Sequence, residues 1–114
     1  MSQGRPITSI NLGGEGEVAG VINQQRPAAL SATWRSCVAG LTLEQLARQG
    51  MDFLICPNVR LPIHDDSVDL VITNSVPIDT VSLGEPGVQS SEIHRILISG
   101  GEWWHDGKRR YTKP

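Results

Sequence analysis

The chain has 114 residues, enough for one hydrophobic core and, by length, one domain. Its formal net charge of −2 excludes a uniformly basic protein that coats nucleic acid, and no apolar run approaches the roughly 20 residues of a membrane-spanning helix. The charge is uneven, however. Lys108, Arg109, Arg110 and Lys113 all lie at the C-terminal end, and setting them aside leaves 6 basic against 12 acidic residues. A cationic tail over 108–114 meets phosphate or an acidic protein partner, or else only solubilises the chain.

Cys37 and Cys56 stand in no Cys-x-x-Cys or Cys/His spacing, so two reduced thiols and no metal site are expected. Met1 to Pro6 is polar and lacks the apolar stretch of a signal peptide. An exported form would therefore carry its address on a longer parent chain.

In chain order, Ile7 to Leu12 reads as a short strand. Gly13-Gly14-Glu15-Gly16-Glu17 is a turn rich in residues that tolerate positive φ. Val18, Val21 and Ile22 recur at helical spacing, which predicts a helix from about Glu17, with acids in its first turn, ended by Pro27. Ala28 to Trp34 is a weak second strand. Thr42, with Gln45 three positions on, predicts a capped helix that turns Leu43, Leu46 and Ala47 inward and stops at Gly50. Asp52 to Cys56 is the next strand.

Val68 to Thr73 is apolar and bounded by turn residues, so it reads as a strand buried on both faces, as in parallel sheets covered by helices. Residues 77–88 hold two prolines and two glycines and form a loop long enough to be functional. A helix from Ser90 or Ser91 runs through Leu97 and stops at Gly100-Gly101. Glu102 to His105 is a last strand, and Asp106-Gly107 a hairpin turn into Tyr111. The alternation predicts an α/β fold: a minimal, mainly parallel sheet of about five strands with flanking helices. Ligands of such sheets bind beyond the carboxyl ends of the strands.

Four motifs, in this order, resemble the class I S-adenosylmethionine-dependent methyltransferases. They are Ile10-Asn11-Leu12-Gly13-Gly14-Glu15-Gly16; Leu61-Pro62-Ile63 followed by Asp66-Ser67-Val68-Asp69-Leu70-Val71; Glu92-Ile93-His94-Arg95-Ile96-Leu97; and Ser99-Gly100-Gly101. The resemblance covers about 90 residues and implies a truncated Rossmann-like sheet. It also implies a cofactor, S-adenosylmethionine, beside Asn11, Gly13, Gly14, Glu17 and Asn58.

The pattern departs from the family at three points. Glu15 and Glu17 stand where the second and third glycines fall. No acid lies between Glu17 and Glu44 to meet a ribose, and Pro57 and Asn58 occupy the place of the acid that faces adenine. The family's last two strands have no counterpart before Pro114. These departures predict weak binding of S-adenosylmethionine, or none.

A narrower resemblance rests on Gly14-Glu15-Gly16-Glu17-Val18, Val21-Ile22-Asn23-Gln24-Gln25, Thr73-Asn74-Ser75-Val76-Pro77-Ile78 and Arg110-Tyr111-Thr112-Lys113-Pro114. It is to the C-terminal toxin domains of Rhs-type and contact-dependent-inhibition proteins. It implies secretion as part of a larger bacterial effector, action in the cytoplasm of a target cell and neutralisation by an immunity protein.

Three functions follow as expectations. The first is a toxin enzyme acting on a nucleic acid or nucleotide. The second is an S-adenosylmethionine-dependent methyltransferase, and the third a partner-binding domain without catalysis.

The residues bear on these functions unequally. Two carboxylates at a helix start repel phosphate and suit a cationic ligand, a general base or a metal; equally, they compensate a helix dipole. Glu15 is the expected catalytic acid–base group, with Asn74 orienting the substrate across one cleft and residues 77–88 as its lid. Asn11 and Asn74 can read a base edge or close an Asx turn. His64, Asp65 and Asp66 precede the central strand, at the end opposite such a cleft, and read as turn chemistry. His94 reads as a solvated or capping histidine. Of Trp103 and Trp104 one must face outward on a strand. Trp104, with Lys108, Arg109, Arg110 and Lys113, is the expected nucleic-acid or partner surface.

Overall fold

The computed structural model describes residues 8–37, 39–82 and 84–114. Ile7 and the polar Met1–Pro6 stretch lie outside them. In chain order the strands are β1 (Ser9–Leu12), β2 (Ile22–Gln25), β3 (Phe53–Ile55), β4 (Val68–Thr73), β5 (Val81–Ser82), β6 (Glu85–Pro86), β7 (Leu97–His105) and β8 (Lys108–Thr112). The helices are α1 (Leu43–Arg48) and α2 (Ser90–Ile96).

Six strands form one sheet in the order β3-β2-β1-β4-β7-β8, and β5 pairs only with β6. In the large sheet every ladder is parallel except β7 with β8. The fold is thus α/β with a mostly parallel sheet, of six strands rather than about five, and with few helices. No helix among the described residues is long and apolar enough to cross a membrane.

The expected helix at Glu17 is absent. Residues 18–21 form turns and a bend, and Ile22 to Gln25 is a strand in register with Ile10 to Leu12. Gly16 and Gly20 both take positive φ, 90° and 77°, which breaks the stretch at two places. The crossover between these parallel strands, residues 13–21, is shorter than the dozen or so usual and leaves no room for a stable helix. Ala28 to Trp34 is not a strand either. Pro27, with φ fixed by its ring, opens a 3₁₀ turn over Pro27–Leu30.

α1 carries the expected capping box: Thr42 Oγ1 accepts from Gln45 N at 3.1 Å, and Thr42 N donates to Gln45 Oε1 at 2.9 Å. Leu46 is buried, but Ala47 is exposed, because one and a half turns present only a narrow stripe. α2 ends earlier than expected. Leu97 turns extended and pairs with Val68, so Gly100 and Gly101 lie inside β7 and do not stop a helix. A Cβ on Gly101 would stand 3.0 Å from Ile98 O, so the strand bends where only glycine fits.

The core lies on one face of the sheet. Ile10, Val71 and Trp103 stand level on adjacent strands, with Leu61, Val88, Ile93 and Ile96 packed over them. Alternation sends Asn11, Ile72 and Trp104 to the other face. β4 is therefore not buried on both faces as expected: Val68, Val71 and Thr73 are buried while Leu70 and Ile72 are half-buried. At its end, Thr73 Oγ1 accepts from Trp103 Nε1 at 2.9 Å and lies 2.7 Å from His105 Nδ1, which joins β4 to β7.

A clamp fixes the 61–65 connection. Arg95 on α2 donates to Leu61 O, Ile63 O and Asp65 Oδ1, and it pairs with Glu92, whose Oε1 also accepts from Leu61 N. His94 stands in the last turn of α2, half-exposed, and it has a partner the sequence did not show. It stacks on Tyr111 with ring centroids 4.0 Å apart, because β8 pairs beside β7 under α2.

Candidate functional site

Strand order reverses between β1 and β4: β2 and β3 lie to one side, β7 and β8 to the other. In open α/β sheets that is where ligands bind, beyond the carboxyl ends of the strands. A cleft of about 480 Å³ opens there. It is walled by the glycine-rich turn after β1, the end of β2, Asn58 after β3 and segment 76–88 after β4.

The turn is held shut by the chain's own acceptors. Gly13 N donates to Gln24 Oε1 at 3.0 Å, Gly14 N to Asn11 O at 3.1 Å, Glu15 N to Glu17 Oε1 at 2.8 Å and Gly16 N to Asn23 Oδ1 at 3.2 Å. The carbonyls of Gly13 and Gly14 both accept from Gln25 Nε2. A glycine turn that cradles an anion leaves its N–H groups pointing at the ligand; here they are spent internally. Gly14 is required by close approach. A Cβ there would stand 2.8 Å from Asn11 Cγ and collide with Asn23 Oδ1.

Glu17 is the centre of this clasp and not a free carboxylate. Its Oε2 accepts from Asn11 Nδ2 at 2.7 Å and from Asn74 Nδ2 at 3.1 Å. Partial burial pushes its pKa up, but the Asn11 amide, the N–H groups of Glu15 and Glu17 and the Asn74 amide outweigh that, so the carboxyl sits below its ordinary value. Asn11 must turn its NH₂ to this carboxylate, which leaves its buried Oδ1 without a hydrogen-bond partner among the described residues.

Glu15 differs. It lines the cleft, its Oε1 accepts from Cys37 N at 2.8 Å, and no contact to its Oε2 is formed among the described residues. It is a carboxylate with one oxygen anchored and one available. Trp34 and Arg26 line the same cleft. Arg26 is the only basic residue among the described lining residues, and it lies 3.8 Å from Glu85 on the β5–β6 hairpin. Asn58 also faces the cleft, but its amide is committed: Oδ1 accepts from Gln24 Nε2 and Nδ2 donates to Pro86 O. Segment 77–88 is a wall built from a small hairpin, pinned by Asn58, and not an open loop.

The expected site residues therefore divide. Asn74 is joined to Glu17 and not to Glu15, and it does not line the cleft. Asn11, Gly13, Gly14 and Glu17 belong to the clasp, but of these four expected cofactor residues only Gly13 lines the cleft; Asn11, Gly14 and Glu17 are turned away from it by their bonds within the clasp. His64, Asp65 and Asp66 are exposed at the amino end of β4, where Asp65 pairs with Arg95 and Asp66 with Lys113.

The basic end is no loose tail. Residues 108–112 are the edge strand β8. Lys108 is exposed beside the hairpin turn, Arg109 approaches Glu102 at 3.6 Å, and the Arg110 guanidinium lies 5.0 Å from the Trp103 ring centroid. Lys113 is taken at the opposite end of the sheet, where its Nζ donates to Asp66 Oδ1 and Leu97 O. An antiparallel strand spreads its charges along its length, so the four cations do not form one patch. Trp104 is 38% exposed on the sheet face opposite Trp103, its Nε1 donating to Glu102.

Sequence reasoning missed Asn23, Gln24 and Gln25, which it placed at the end of a helix, and the cleft positions of Arg26 and Trp34. The signal available was the uninterrupted run of three amides before Arg26. Such a run buries only where each amide finds partners. Compared with known proteins, the chain matches no family model, no curated protein and no solved structure.

Proposed function

We propose that this chain is the toxin domain of a bacterial polymorphic effector of the Rhs or contact-dependent-inhibition kind, and that it acts as an enzyme on a nucleic acid or nucleotide in the target-cell cytoplasm. The observation that carries the enzymatic part is the cleft beyond the strand ends. There Glu15 offers an available carboxylate oxygen beside an aromatic side chain, Trp34, and a cation, Arg26. These are the parts needed to hold a nitrogen-bearing ring and an anionic group together. The cleft volume falls in the range of small-molecule sites. Glu15 is the residue placed to take a proton from a bound nitrogen or to hold positive charge on it. Asn74 acts through Glu17 as a positioning residue.

A Rossmann-like, methyltransferase-like scaffold is supported by the strand order β3-β2-β1-β4 with a further parallel strand beyond. S-adenosylmethionine fits the residues poorly. The turn keeps no N–H for the cofactor's carboxylate, and β2 ends in amides that hold the turn, with no acid for a ribose. A methyltransferase reaction is therefore the weaker reading.

A partner surface for the immunity protein is supported by a separate observation: Trp104, Leu70 and Ile72 are partly exposed on one sheet face, with Arg109 paired alongside Trp104.

Expression of the chain in bacterial cytoplasm tests the proposal. Wild-type protein should arrest growth. Glu15→Gln should relieve the arrest, since loss of a positioned acid–base group costs about 10²- to 10⁴-fold in rate. His64→Ala, at the far end of the sheet, should remain toxic. Normal growth with soluble wild-type protein removes the toxin reading. A fully toxic Glu15→Gln removes the cleft from it.

A further inference from the structure

The chemistry of the cleft wall selects among bases. Its charged residues, among those described, are Glu15, Arg26 and Glu85, and the last two face each other at 3.8 Å. What is left over is the Glu15 carboxylate. Its Oε1 is fixed by the Cys37 N–H at 2.8 Å, so the side chain is oriented before any ligand arrives and presents a single acceptor oxygen. Asn58, Gln24 and Gln25 share the wall, but their NH₂ groups are already donated to Pro86 O, Cys56 O, Gly13 O and Gly14 O. The cleft thus has an oriented charged acceptor and no uncommitted side-chain amide donor from these three residues.

We infer that the base held in this cleft is adenine or cytosine, whose exocyclic amino group uracil lacks, with that group donating to Glu15 Oε2 and the ring lying on Trp34. This rests on the nucleotide reading above and narrows it. An amino group projects beyond the ring, so it reaches a single acceptor while the ring nitrogens beside it stay set back. The N3–H of uracil is flanked by two carbonyl oxygens, and these repel the same carboxylate. A hydrogen bond to a charged group contributes about 1.5–3 kcal/mol, or roughly 10- to 100-fold in affinity. Leaving Glu15 facing a carbonyl forfeits that contribution. Arg26 supplies the cation for a phosphate, because its pairing with Glu85 is long and half-exposed and a phosphate offers it a bidentate partner.

Equilibrium titration of the purified chain with AMP, CMP and UMP tests the inference, with Glu15→Gln and Trp34→Ala alongside. At least one of the amino-bearing nucleotides should bind tenfold or more tightly than UMP. Glu15→Gln should bring that ratio towards one, because glutamine offers an acceptor and a donor without charge. Trp34→Ala should weaken all three together. UMP binding as well as the better of AMP and CMP, or a ratio unchanged in Glu15→Gln, overturns the base assignment and leaves the nucleotide reading standing. Binding of none of the three at millimolar concentration overturns both.

Discussion

Asn74 donates its side-chain amide to Glu17 at 3.1 Å, tying the end of the central strand to a turn 57 positions earlier. The same Glu17 oxygen holds Asn11, so one carboxylate joins the carboxyl ends of β1 and β4 at the point where the sheet reverses its order. The joint also holds the turn whose Glu15 lines the cleft, since Glu17 accepts from Glu15 N.

Glu17→Gln should loosen it. The substitution puts an NH₂ group or an uncharged oxygen against the buried Asn11 amide, at a cost of about 1 kcal/mol or somewhat more, discounted for the exposure of Glu17. The sign of the pH effect follows from its lowered pKa. A depressed folded-state value contributes stability above the unfolded value of about 4.3, and that stability is lost as pH falls through the folded value. Asp79 and Glu92 are also held low, by hydrogen bonds from Ser90 and Arg95, so the acid loss is shared. Urea denaturation at pH 7 and pH 3 should show Glu17→Gln less stable at pH 7 and less sensitive to the change. Equal stability of variant and wild type at pH 7 would remove the joint from the account.

Arg95 should matter more to stability than any other charged residue. It satisfies Leu61 O and Ile63 O and neutralises Glu92, which is 9% exposed. Arg95→Met strands that carboxylate and should cost about 2–4 kcal/mol. Arg95→Lys should recover only part, since an ammonium cannot serve two carbonyls and a carboxylate in one plane. Thermal melts of both variants give the comparison; a lysine variant as stable as wild type would show that charge alone suffices.

S-adenosylmethionine should bind with a dissociation constant above roughly 100 μM, about −5.5 kcal/mol. The reason is the turn itself, whose N–H groups at 13 to 16 are already hydrogen-bonded. Calorimetric titration decides the matter, and a low-micromolar constant would mean that the clasp opens for the cofactor.

The basic residues should separate into two classes. Lys108 and Arg109 lie on the edge strand beside the exposed Trp104, so on the toxin reading proposed above Lys108→Ser with Arg109→Ser should weaken binding of an acidic immunity protein and flatten its salt dependence. Lys113→Ser should leave that slope alone and instead cost about 1 kcal/mol of stability, through the lost contacts to Asp66 and Leu97 O. A salt slope unchanged by the paired substitution would assign β8 to solubility only.

Elements with local signals were legible in the order of the residues. The capping box at Thr42 and Gln45, the apolar run of β4 and the Asp106-Gly107 turn each carry their geometry within a few residues, and the alternation of elements led to an α/β, mainly parallel sheet. The same local logic turned one of Trp103 and Trp104 outward and took Trp104 for the surface; Trp103 is 3% and Trp104 38% exposed.

Only the tertiary structure decided β2. Asn23-Gln24-Gln25 is too polar to read as a buried strand, and becomes one because the turn after β1 offers each amide a backbone partner. That decision removed the helix expected at Glu17, spent the turn's donors and left Glu15, of the turn's two carboxylates, lining the cleft. Hydrogen bonds between residues far apart in sequence carry no periodic signature. Which carboxylate is clasped and which is available is therefore settled by the packing of the strands and not by the order of the residues.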